Sequence, residues 1–267
     1  MKQFFLDTAN IESLKRILEK IEKDIDLKLI LGITTNPNAF NKIGINRLEG
    51  WLDHSLKLAK FVHELRGDND GEIHIQIPNS KLNQNQISKY ISLIEEMTNG
   101  YCKVGMKIPP NIDLLKKVDE FNLKVKTNVT GLSDVSTALK CCTYNVDYVS
   151  IIPGRMEEVG INAIETLSFL KQCKLGNTRI ITGSQRTVEQ VIYCFNYDTI
   201  PTIGEKCWDN IFSGGNFKKL LAGNEESITT NMFGPLISKE NINLSHDFFM
   251  QMDELGLSAY HDLKQII

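Results

Sequence analysis

A lysine near the end of a short apolar stretch is the residue in this sequence whose position most suggests chemistry. The stretch Tyr101–Pro110, YCKVGMKIPP, resembles a strand closed by two prolines, and Lys107 lies two residues before the first of them. Burial disfavours the ammonium charge and lowers the pKa of a lysine. A neutral lysine amine can attack a carbonyl and form a Schiff base. From this stretch alone, a solvated lysine at a strand end is the favoured interpretation, and the rest of the chain reverses that preference.

The elements around Lys107 alternate between apolar strands and amphipathic helices. About eight strand–helix units can be assigned in roughly 220 residues, which is the number and size of a parallel (β/α)₈ barrel. A doubly wound open sheet is the alternative, but it normally carries a glycine-rich phosphate loop after its first strand, and here that strand ends in LDTAN. The sequence therefore predicts an α/β fold, a (β/α)₈ TIM barrel, over residues 1–223. Residues 224–267 are predicted to form a helical C-terminal extension that packs on the barrel or on a neighbouring subunit.

Composition and charge argue against several classes of protein. A hydrophobic fraction of 42% with 24% charged residues is typical of a globular protein, and the net charge of −3 gives no basis for binding nucleic acid or an anionic membrane. No apolar run is long enough to span a bilayer, and the N-terminus lacks a signal-peptide core. The six cysteines and five histidines show no metal-ligand spacing. We therefore expect a cytoplasmic protein with reduced thiols, no metal, no membrane partner and no nucleic-acid partner.

The residues that follow the predicted strands have the side chains that sugar chemistry needs. In a TIM barrel, catalytic groups lie at the C-terminal ends of the strands. The residues at those ends are Asp7, Thr34, Thr35, Asn36, Gln76, Lys107, Asn128, Thr130, Ser150, Arg155, Ser184, Arg186 and Gly204. They include a candidate nucleophile, a carboxylate for proton transfer, several amides and hydroxyls, and two arginines near a serine. This set would suit a Schiff-base enzyme that acts on a phosphorylated, polyhydroxylated ketone.

The same strand ends resemble those of a known family. LDTAN, GITTNP, MKIP, TNVTG, VSIIPGR and GSQR are similar, in this order, to the strand ends of the transaldolase family, including its small subfamily of fructose-6-phosphate aldolases. The resemblance runs from Gln3 to about Phe212. It implies an enzyme of carbohydrate metabolism, in the pentose phosphate pathway, with sugar phosphates as its small-molecule partners. It also implies a homo-oligomer, and no metal or organic cofactor, because the iminium itself serves as the electron sink.

The resemblance implies a role for each catalytic candidate. Lys107 corresponds to the Schiff-base lysine, and Asp7 to the carboxylate that exchanges a proton with the substrate hydroxyl. Thr130 corresponds to a threonine that helps to hold the catalytic water, which Gln76 would orient. Without the resemblance, Asp7 could equally cap a helix, and Thr130 could reflect β-propensity alone.

The resemblance also implies a binding site for the substrate. The residues that correspond to ketose-binding positions are Asn36, Thr35, Asn128 and Ser150. The residues that correspond to the phosphate site are Arg155, Ser184 and Arg186. The residue types alone would also fit an Asn-Pro turn and a solvated basic surface.

Two positions depart from the family pattern. Transaldolases proper have a glutamate on the third strand, where this chain has Gln76, as the aldolase subfamily does. On the sixth strand, Ile152 stands where transaldolases have phenylalanine and the aldolases have tyrosine. Asn128 and the Gly154-Arg155 pair are instead more similar to transaldolases, so the residues are split between the two activities. The leading interpretation is a transaldolase that transfers a dihydroxyacetone unit, with an aldolase that releases dihydroxyacetone as the close alternative. A non-catalytic relative that binds sugar phosphates is a further alternative.

A second lysine lies below the predicted site. Strand alternation places Lys126 in the barrel interior, one layer below Asn128, and His74 one layer below Gln76. An unpaired buried charge is costly, so we expect a carboxylate or water network under the site, and we expect the charge of Lys126 to lower the pKa of Lys107. A register slip that leaves Lys126 solvated, or a different Schiff-base barrel with Lys126 as its nucleophile, are the alternatives.

Overall fold

The computed structural model describes residues 2–116, 125–173, 175–215, 217, 220 and 239–266 of the chain. Its eight strands form a closed barrel in which every strand runs parallel to its neighbours and the last pairs with the first. The strands are β1 Phe4–Asp7, β2 Ile30–Thr34, β3 Glu72–Gln76, β4 Lys103–Ile108, β5 Lys126–Leu132, β6 Tyr148–Ile151, β7 Arg179–Thr182 and β8 Ile200–Gly204. The predicted (β/α)₈ barrel is confirmed.

Helices surround the barrel. They are α1 Ile11–Ile21, α2 Pro37–Lys42, α3 Leu48–Arg66, α4 Gln84–Thr98, α5 Ile112–Leu115, α6 Val135–Cys142, α7 Pro153–Glu158, α8 Ala163–Gln172, α9 Val188–Asn196, α10 Glu205–Ser213, α11 Lys239–Leu255 and α12 Leu257–Gln265. The short helices α2 and α7 begin at Pro37 and Pro153, the prolines of the GITTNP and VSIIPGR motifs, which by themselves indicate only the end of a strand. Each proline instead starts a helix, where its fixed φ is favourable and its missing N–H has no intrahelical partner to lose.

The strands contribute side chains to two separate apolar regions. Side chains on the outer face pack beneath the helices in the main hydrophobic core. The inner face carries a small apolar cluster in the middle of the barrel, formed by Phe5, Leu31, Tyr148, Ile181 and Ile200. Polar interior residues at the C-terminal ends of the strands, Asp7 and Lys107 among them, form a set that we call the mouth. Polar residues at the N-terminal ends of the strands, with Glu72 and Lys126 at the starts of β3 and β5, form a second set that we call the floor.

The C-terminal helices contact the barrel at several places. Phe248 and Met252 of α11 are buried, and the Asp253 carboxylate accepts hydrogen bonds from the backbone N–H and hydroxyl of Ser80 at 2.6 and 2.5 Å. In α12, the Asp262 carboxylate accepts a hydrogen bond from the backbone N–H of Leu48, the first residue of α3, at 2.9 Å. The predicted boundary between residues 223 and 224 lies outside the described residues. None of the described helices is both long and apolar enough to cross a membrane.

Candidate active site

Lys107 lies in the mouth, in register with Gln76 of β3 and Asn128 of β5. Its side chain is buried, and its Nζ donates a hydrogen bond to the backbone carbonyl of Thr35 at 3.0 Å. Burial lowers the pKa of Lys107, and the nearby Asp7 carboxylate opposes this shift only in part. The surroundings of Lys107 therefore favour the neutral, nucleophilic amine more than water would.

Asp7 ends β1 on the same side of the barrel. Its Oδ1 accepts a hydrogen bond from the Thr34 hydroxyl at 2.8 Å, and the Thr34 and Thr202 hydroxyls lie 2.6 Å apart. Burial raises the pKa of Asp7, while the charge of Lys107 and the Thr34 hydrogen bond lower it in part. A carboxylate with a raised pKa exchanges protons more readily near neutral pH, as a general acid–base group must.

A narrow recess above Lys107 opens into a wider cleft. The recess has a volume of about 30 Å³ and the cleft one of about 660 Å³; Asp7, Asn36, Ser184 and Phe248 line both. The predicted site residues that line the recess are Asp7, Asn36, Lys107, Asn128, Thr130, Ser150 and Ser184. Arg155 and Arg186 line the cleft. The structure thus brings most of the predicted residues together around one space.

Two of the predicted residues are buried beside the recess and do not line it. Thr35 donates its hydroxyl to the backbone carbonyl of His74 at 3.3 Å and holds Lys107 through its own carbonyl. Gln76 is buried, and its Oε1 has no hydrogen-bond partner among the described residues. Because an unsatisfied buried acceptor is costly, we expect a water or a substrate hydroxyl to donate to Gln76.

The two asparagines of the mouth are held by different contacts. Asn36 caps α2 through its Oδ1, which accepts a hydrogen bond from the backbone N–H of Ala39 at 3.0 Å. Asn128 is fully buried; its Nδ2 lies 2.9 Å from Nδ1 of His74, and its Oδ1 accepts a hydrogen bond from the Ser150 hydroxyl at 2.6 Å. Asn128 and Ser150 therefore face the recess as one hydrogen-bonded pair.

The predicted phosphate site lies at one side of the cleft. Nε of Arg155 is buried without a hydrogen-bond partner among the described residues. Burial lowers the pKa of Arg155, and the charge of Arg186 adds to this effect. Arg186 donates from its Nε to the Glu158 carboxylate at 2.6 Å and from Nη1 to the backbone carbonyl of Ser184 at 2.8 Å. A phosphate at this place would gain an unsatisfied donor from Arg155 but would have to share Arg186 with Glu158.

The PGR sequence of α7 has a steric role here. A Cβ on Gly154 would lie 1.7 Å from the backbone carbonyl oxygen of Ser184, so only glycine allows the two segments to approach this closely. Ser184 itself has a φ of 61°, a left-handed conformation that is uncommon for a serine. The close contact therefore holds Ser184 next to the Gly154–Arg155 segment, at the same side of the cleft.

A carboxylate network lies under the site, as the alternation of the strands predicts. In the floor, Glu72 accepts hydrogen bonds from Nζ of Lys126 at 2.5 Å and from the hydroxyl of Tyr148 at 2.9 Å, and lies 2.8 Å from Nε2 of His74. Burial alone would raise the pKa of Glu72, but the hydrogen bonds from His74 and Lys126, together with the positive charge beside the carboxylate, outweigh burial and hold this pKa at about 2. Glu72 is therefore ionised.

The expected effect of Lys126 on Lys107 is wrong. The pKa of Lys107 is set by burial and by Asp7, and Lys126 is not among the causes of its shift. The physical reason is the ion pair with Glu72, which compensates the charge of Lys126 within the floor. Lys126 is about one-third exposed, so it is neither fully solvated nor placed in the recess.

Three side chains at or near the site were not assigned from the sequence. Glu72 had a detectable signal, because it continues the alternation of His74 and Gln76 to the start of β3. Thr202 is one residue of an ordinary strand and gave no separate signal. Phe248 comes from α11, far along the chain, and lines the recess together with Ile152. No strand-end motif could have placed it there.

Within the described part of the chain, no group of three or more histidine, cysteine, aspartate or glutamate side chains is arranged to hold a metal ion. The mouth instead offers an amine, a carboxylate, amides and hydroxyls around a recess that Lys107 faces. Such a set can bind a carbonyl compound, form an imine with it and move a proton beside it.

Comparison with known proteins gives relatives of low sequence identity. The chain is 25% identical to a probable transaldolase of Porphyromonas gingivalis over 199 residues, which cover 72% of this chain and 80% of that protein. It is 29% identical to a probable transaldolase of Syntrophobacter fumaroxidans over 195 residues, which cover 71% and 79%. The crystal structure of a soluble mutant of (S)-mandelate dehydrogenase from Pseudomonas putida aligns with a TM-score of 0.52 at 12% identity, over 82% of this chain and 75% of that one, which reflects the shared fold alone.

The family itself is identified by a match over most of the chain. The sequence model described as transaldolase/fructose-6-phosphate aldolase matches residues 4–248, from the first residue of β1 to Phe248 of α11. This range contains every strand of the barrel and all the residues of the mouth named above. The chain therefore belongs to the transaldolase/fructose-6-phosphate aldolase family.

Proposed function

We propose that this protein is a Schiff-base enzyme that cleaves and forms a carbon–carbon bond in ketose phosphates. It would transfer a dihydroxyacetone unit from a donor similar to fructose 6-phosphate to an aldose phosphate. The observation that carries the proposal is the position of Lys107, which is buried and faces a recess that it shares with the Asp7 carboxylate. The lowered pKa of Lys107 and the raised pKa of Asp7 support these two roles.

In this mechanism, Nζ of Lys107 attacks the C2 carbonyl of the ketose. The resulting carbinolamine loses water and becomes an iminium. Asp7 takes the proton of the C4 hydroxyl, the C3–C4 bond breaks, and its electron pair moves into the iminium to give an enamine. An aldose phosphate leaves, and the three-carbon unit stays on Lys107 until its enamine attacks the carbonyl carbon of a second aldose phosphate. Asp7 returns the proton to the new alkoxide oxygen, and water then hydrolyses the iminium, which releases the new ketose phosphate and the free amine of Lys107.

The other residues of the site bind and orient in this proposal. Asn36, Asn128 and Ser150 line the recess and would bind hydroxyls of the ketose. Thr130 would hold the water of imine formation and hydrolysis, with the unsatisfied Oε1 of Gln76 orienting it. Thr35 would act through its carbonyl, which holds Nζ of Lys107. The phosphate would bind between Arg155, Ser184 and Arg186.

An aldolase that releases dihydroxyacetone by hydrolysis is the second candidate function. Gln76 favours it, because an amide cannot act as the ionisable group that transaldolases proper have at this position. A relative that binds sugar phosphates without catalysis would retain the recess but form no covalent adduct.

The free thiols of the described cysteines are compatible with the cytoplasm, and we propose that the protein works there as a homo-oligomer in the pentose phosphate pathway.

The test is reductive trapping of the enzyme with fructose 6-phosphate and borohydride. We expect the intact mass of the wild type to increase by a reduced three-carbon unit, with the modification on Lys107 in peptide mapping. The Lys107→Ala variant should remain unmodified. Lys103→Ala is the matched control, since Lys103 belongs to the same strand but forms an exposed ion pair with Asp70, and it should be trapped like the wild type.

Addition of erythrose 4-phosphate then separates the two activities. A transaldolase forms a seven-carbon ketose phosphate, whereas an aldolase releases dihydroxyacetone with or without the acceptor. An adduct on Lys126 instead of Lys107 would overturn the assignment of the nucleophile. If fructose 6-phosphate binds but no adduct forms on any lysine, the protein is a non-catalytic relative.

A further inference from the structure

A line of buried side chains connects the floor of the barrel to the recess. It runs from Glu72 to His74 at 2.8 Å, from His74 to Asn128 at 2.9 Å and from Asn128 to Ser150 at 2.6 Å. Each of the four side chains is almost completely buried, and the last two line the recess. Because each atom in the line can act on its neighbour only as a donor or as an acceptor, the direction of the first hydrogen bond determines the others.

Glu72 sets this direction. Its carboxylate is surrounded by groups that donate: Nζ of Lys126, which can never accept, and the hydroxyl of Tyr148. An ionised carboxylate can only accept, so Nε2 of His74 must carry a proton and donate it to Glu72. Burial, together with the nearby lysine charges, lowers the pKa of His74 and supports a neutral ring, although Glu72 opposes this shift. In a neutral ring, Nδ1 then has to accept.

The remaining two bonds follow from this tautomer. Nδ1 of His74 accepts from the Nδ2 amide of Asn128, which turns Oδ1 of Asn128 towards Ser150. The Ser150 hydroxyl donates its single proton to this oxygen. What Ser150 offers to the recess is therefore a lone pair, and the substrate group beside it has to be a donor.

The histidine ring has little freedom to escape this arrangement. Its centroid lies 4.7 Å from that of Phe5 and 5.1 Å from that of Tyr148. On a further side, a Cβ on Gly105 would lie 2.7 Å from the ring atoms, so the glycine of YCKVGMKIPP is the residue that makes room for His74. The ring is thus fixed from the sides by strands β1, β4 and β6.

We propose that Glu72 and His74 are positioning residues that fix the hydrogen-bond polarity of the recess, so that Ser150 selects a substrate hydroxyl and rejects a group that can only accept. This inference rests on the proposed function, because it concerns the ketone that Lys107 would bind. It assigns a specificity role to two residues that lie below the recess and touch no substrate.

The Glu72→Gln variant tests the proposal because it reverses the donor and acceptor roles in every hydrogen bond from residue 72 to Ser150. Lys126 and Tyr148 still donate, so the amide oxygen of the glutamine turns towards them and its NH₂ group turns towards His74. Nε2 of His74 must then accept, the proton moves to Nδ1, and the Asn128 amide turns over to accept it. Ser150 now accepts from Asn128 and donates its own proton into the recess.

The first measurement is the tautomer of His74 by ¹⁵N NMR, assigned with a His74→Gln variant. We expect the Nε2–H tautomer in the wild type and the Nδ1–H tautomer in Glu72→Gln. Tyr148→Phe is the matched control: it removes one donor to Glu72 without changing the direction of the line, so its His74 should keep the Nε2–H tautomer. A wild-type His74 that is Nδ1–H or doubly protonated would overturn the proposal without any variant.

The second measurement is the rate of borohydride trapping on Lys107 with two small ketones. Hydroxyacetone carries a hydroxyl that can donate, whereas the fluorine of fluoroacetone can only accept. We expect the ratio of the two rates, hydroxyacetone over fluoroacetone, to fall at least about tenfold from the wild type to Glu72→Gln and to change little in Tyr148→Phe. Comparing ratios removes the difference in intrinsic reactivity between the two ketones.

The two measurements keep the proposals apart. A reversed tautomer with an unchanged ratio would refute the specificity role. An unchanged His74 tautomer in Glu72→Gln would refute the idea that Glu72 sets the direction of the hydrogen bonds from His74 to Ser150. If the wild type traps neither ketone while His74 is the Nε2–H tautomer, the proposed function fails, and with it the role assigned to Ser150, but the polarity of the network stands.

Discussion

The mouth and the floor of this barrel each contain a lysine, on neighbouring strands and one layer apart. Lys107 in the mouth is buried and its Nζ contacts the neutral carbonyl of Thr35. Lys126 in the floor is about one-third exposed and forms an ion pair with Glu72 at 2.5 Å. Both lysines therefore lie in the barrel interior. Of the two, only Lys107 is buried without a carboxylate in direct hydrogen-bonding contact.

This difference shows how one barrel can hold a reactive lysine and a structural one. Desolvation lowers the pKa of Lys107 because its contacts compensate the charge only in part. In the floor, the Glu72 carboxylate, the Lys126 ammonium and the Tyr148 hydroxyl form hydrogen bonds with one another, so the charges of Glu72 and Lys126 have a structural role. The partner, rather than burial alone, separates a candidate nucleophile from a structural ion pair.

The largest effect is expected when the floor loses its carboxylate. The Glu72→Met variant leaves Lys126 and His74 without their acceptor inside the barrel, and breaking one side of a buried ion pair costs about 3–5 kcal/mol of the free energy of unfolding. Urea denaturation followed by circular dichroism measures this loss. The control is Asp70→Asn, because Asp70 pairs with Lys103 on the surface, where the expected cost is below about 1 kcal/mol. Equal losses in both variants would show that the floor is not a buried ion pair in solution.

A second prediction concerns the pH dependence of stability. The pKa of Glu72 is about 2 in the folded protein, below the 4.5 of an ordinary glutamate. A lowered carboxylate pKa stabilises the fold above the unfolded value and loses this contribution as the pH falls towards the folded value. The stabilisation from Glu72 should therefore be complete above about pH 4.5 and should decrease by about 3 kcal/mol towards pH 2. The difference in unfolding free energy between the wild type and Glu72→Gln, measured across this range, checks it; a difference independent of pH would contradict it.

The smallest expected effect tests which neighbour controls Lys107. Burial lowers the pKa of Lys107, the Asp7 carboxylate opposes this shift in part, and Lys126 is not among its causes. In Asp7→Asn, the acidic limb of the pH profile for dihydroxyacetone trapping should move to lower pH, because burial then acts on the pKa of Lys107 without the opposing carboxylate. In Lys126→Met, the profile should keep its position. A shift in Lys126→Met as large as that in Asp7→Asn would show that the floor acts on the mouth electrostatically after all.

Much of the site could be predicted because, in a parallel barrel, the order of the strands in the chain is also their order around the barrel. Each parallel strand brings its C-terminal end to the same side, so Asp7, Lys107, Asn128 and Ser150 could be grouped from strand ends alone. Alternation likewise predicted polar residues below them, and the carboxylate network around Lys126 is present. Alternation could not show whether the charge of Lys126 changes the pKa of Lys107, because that depends on the contact between Lys126 and Glu72.

Contacts between distant segments were beyond the reach of these patterns. Phe248 reaches the recess from a helix that follows the barrel, and no local motif encodes where that helix docks. Arg186 was predicted to bind phosphate, yet it also binds Glu158, which lies in another βα unit. Thr35 was predicted to contact substrate, but its hydroxyl and carbonyl are occupied by His74 and Lys107.

Local patterns in the sequence were sufficient to predict the number and order of the strands, which residues of β3 to β5 face the interior, and which lysine and carboxylate lie at the mouth. These follow from local periodicity and from the position of prolines and polar residues at strand ends, which are properties of neighbouring residues. Three features became visible only in the folded chain: which lysine is left without a carboxylate partner, how the His74 ring is held beside Gly105, and that α11 lines the recess. Those features depend on distances between segments far apart in the chain, and the energies of charges and hydrogen bonds change steeply with such distances.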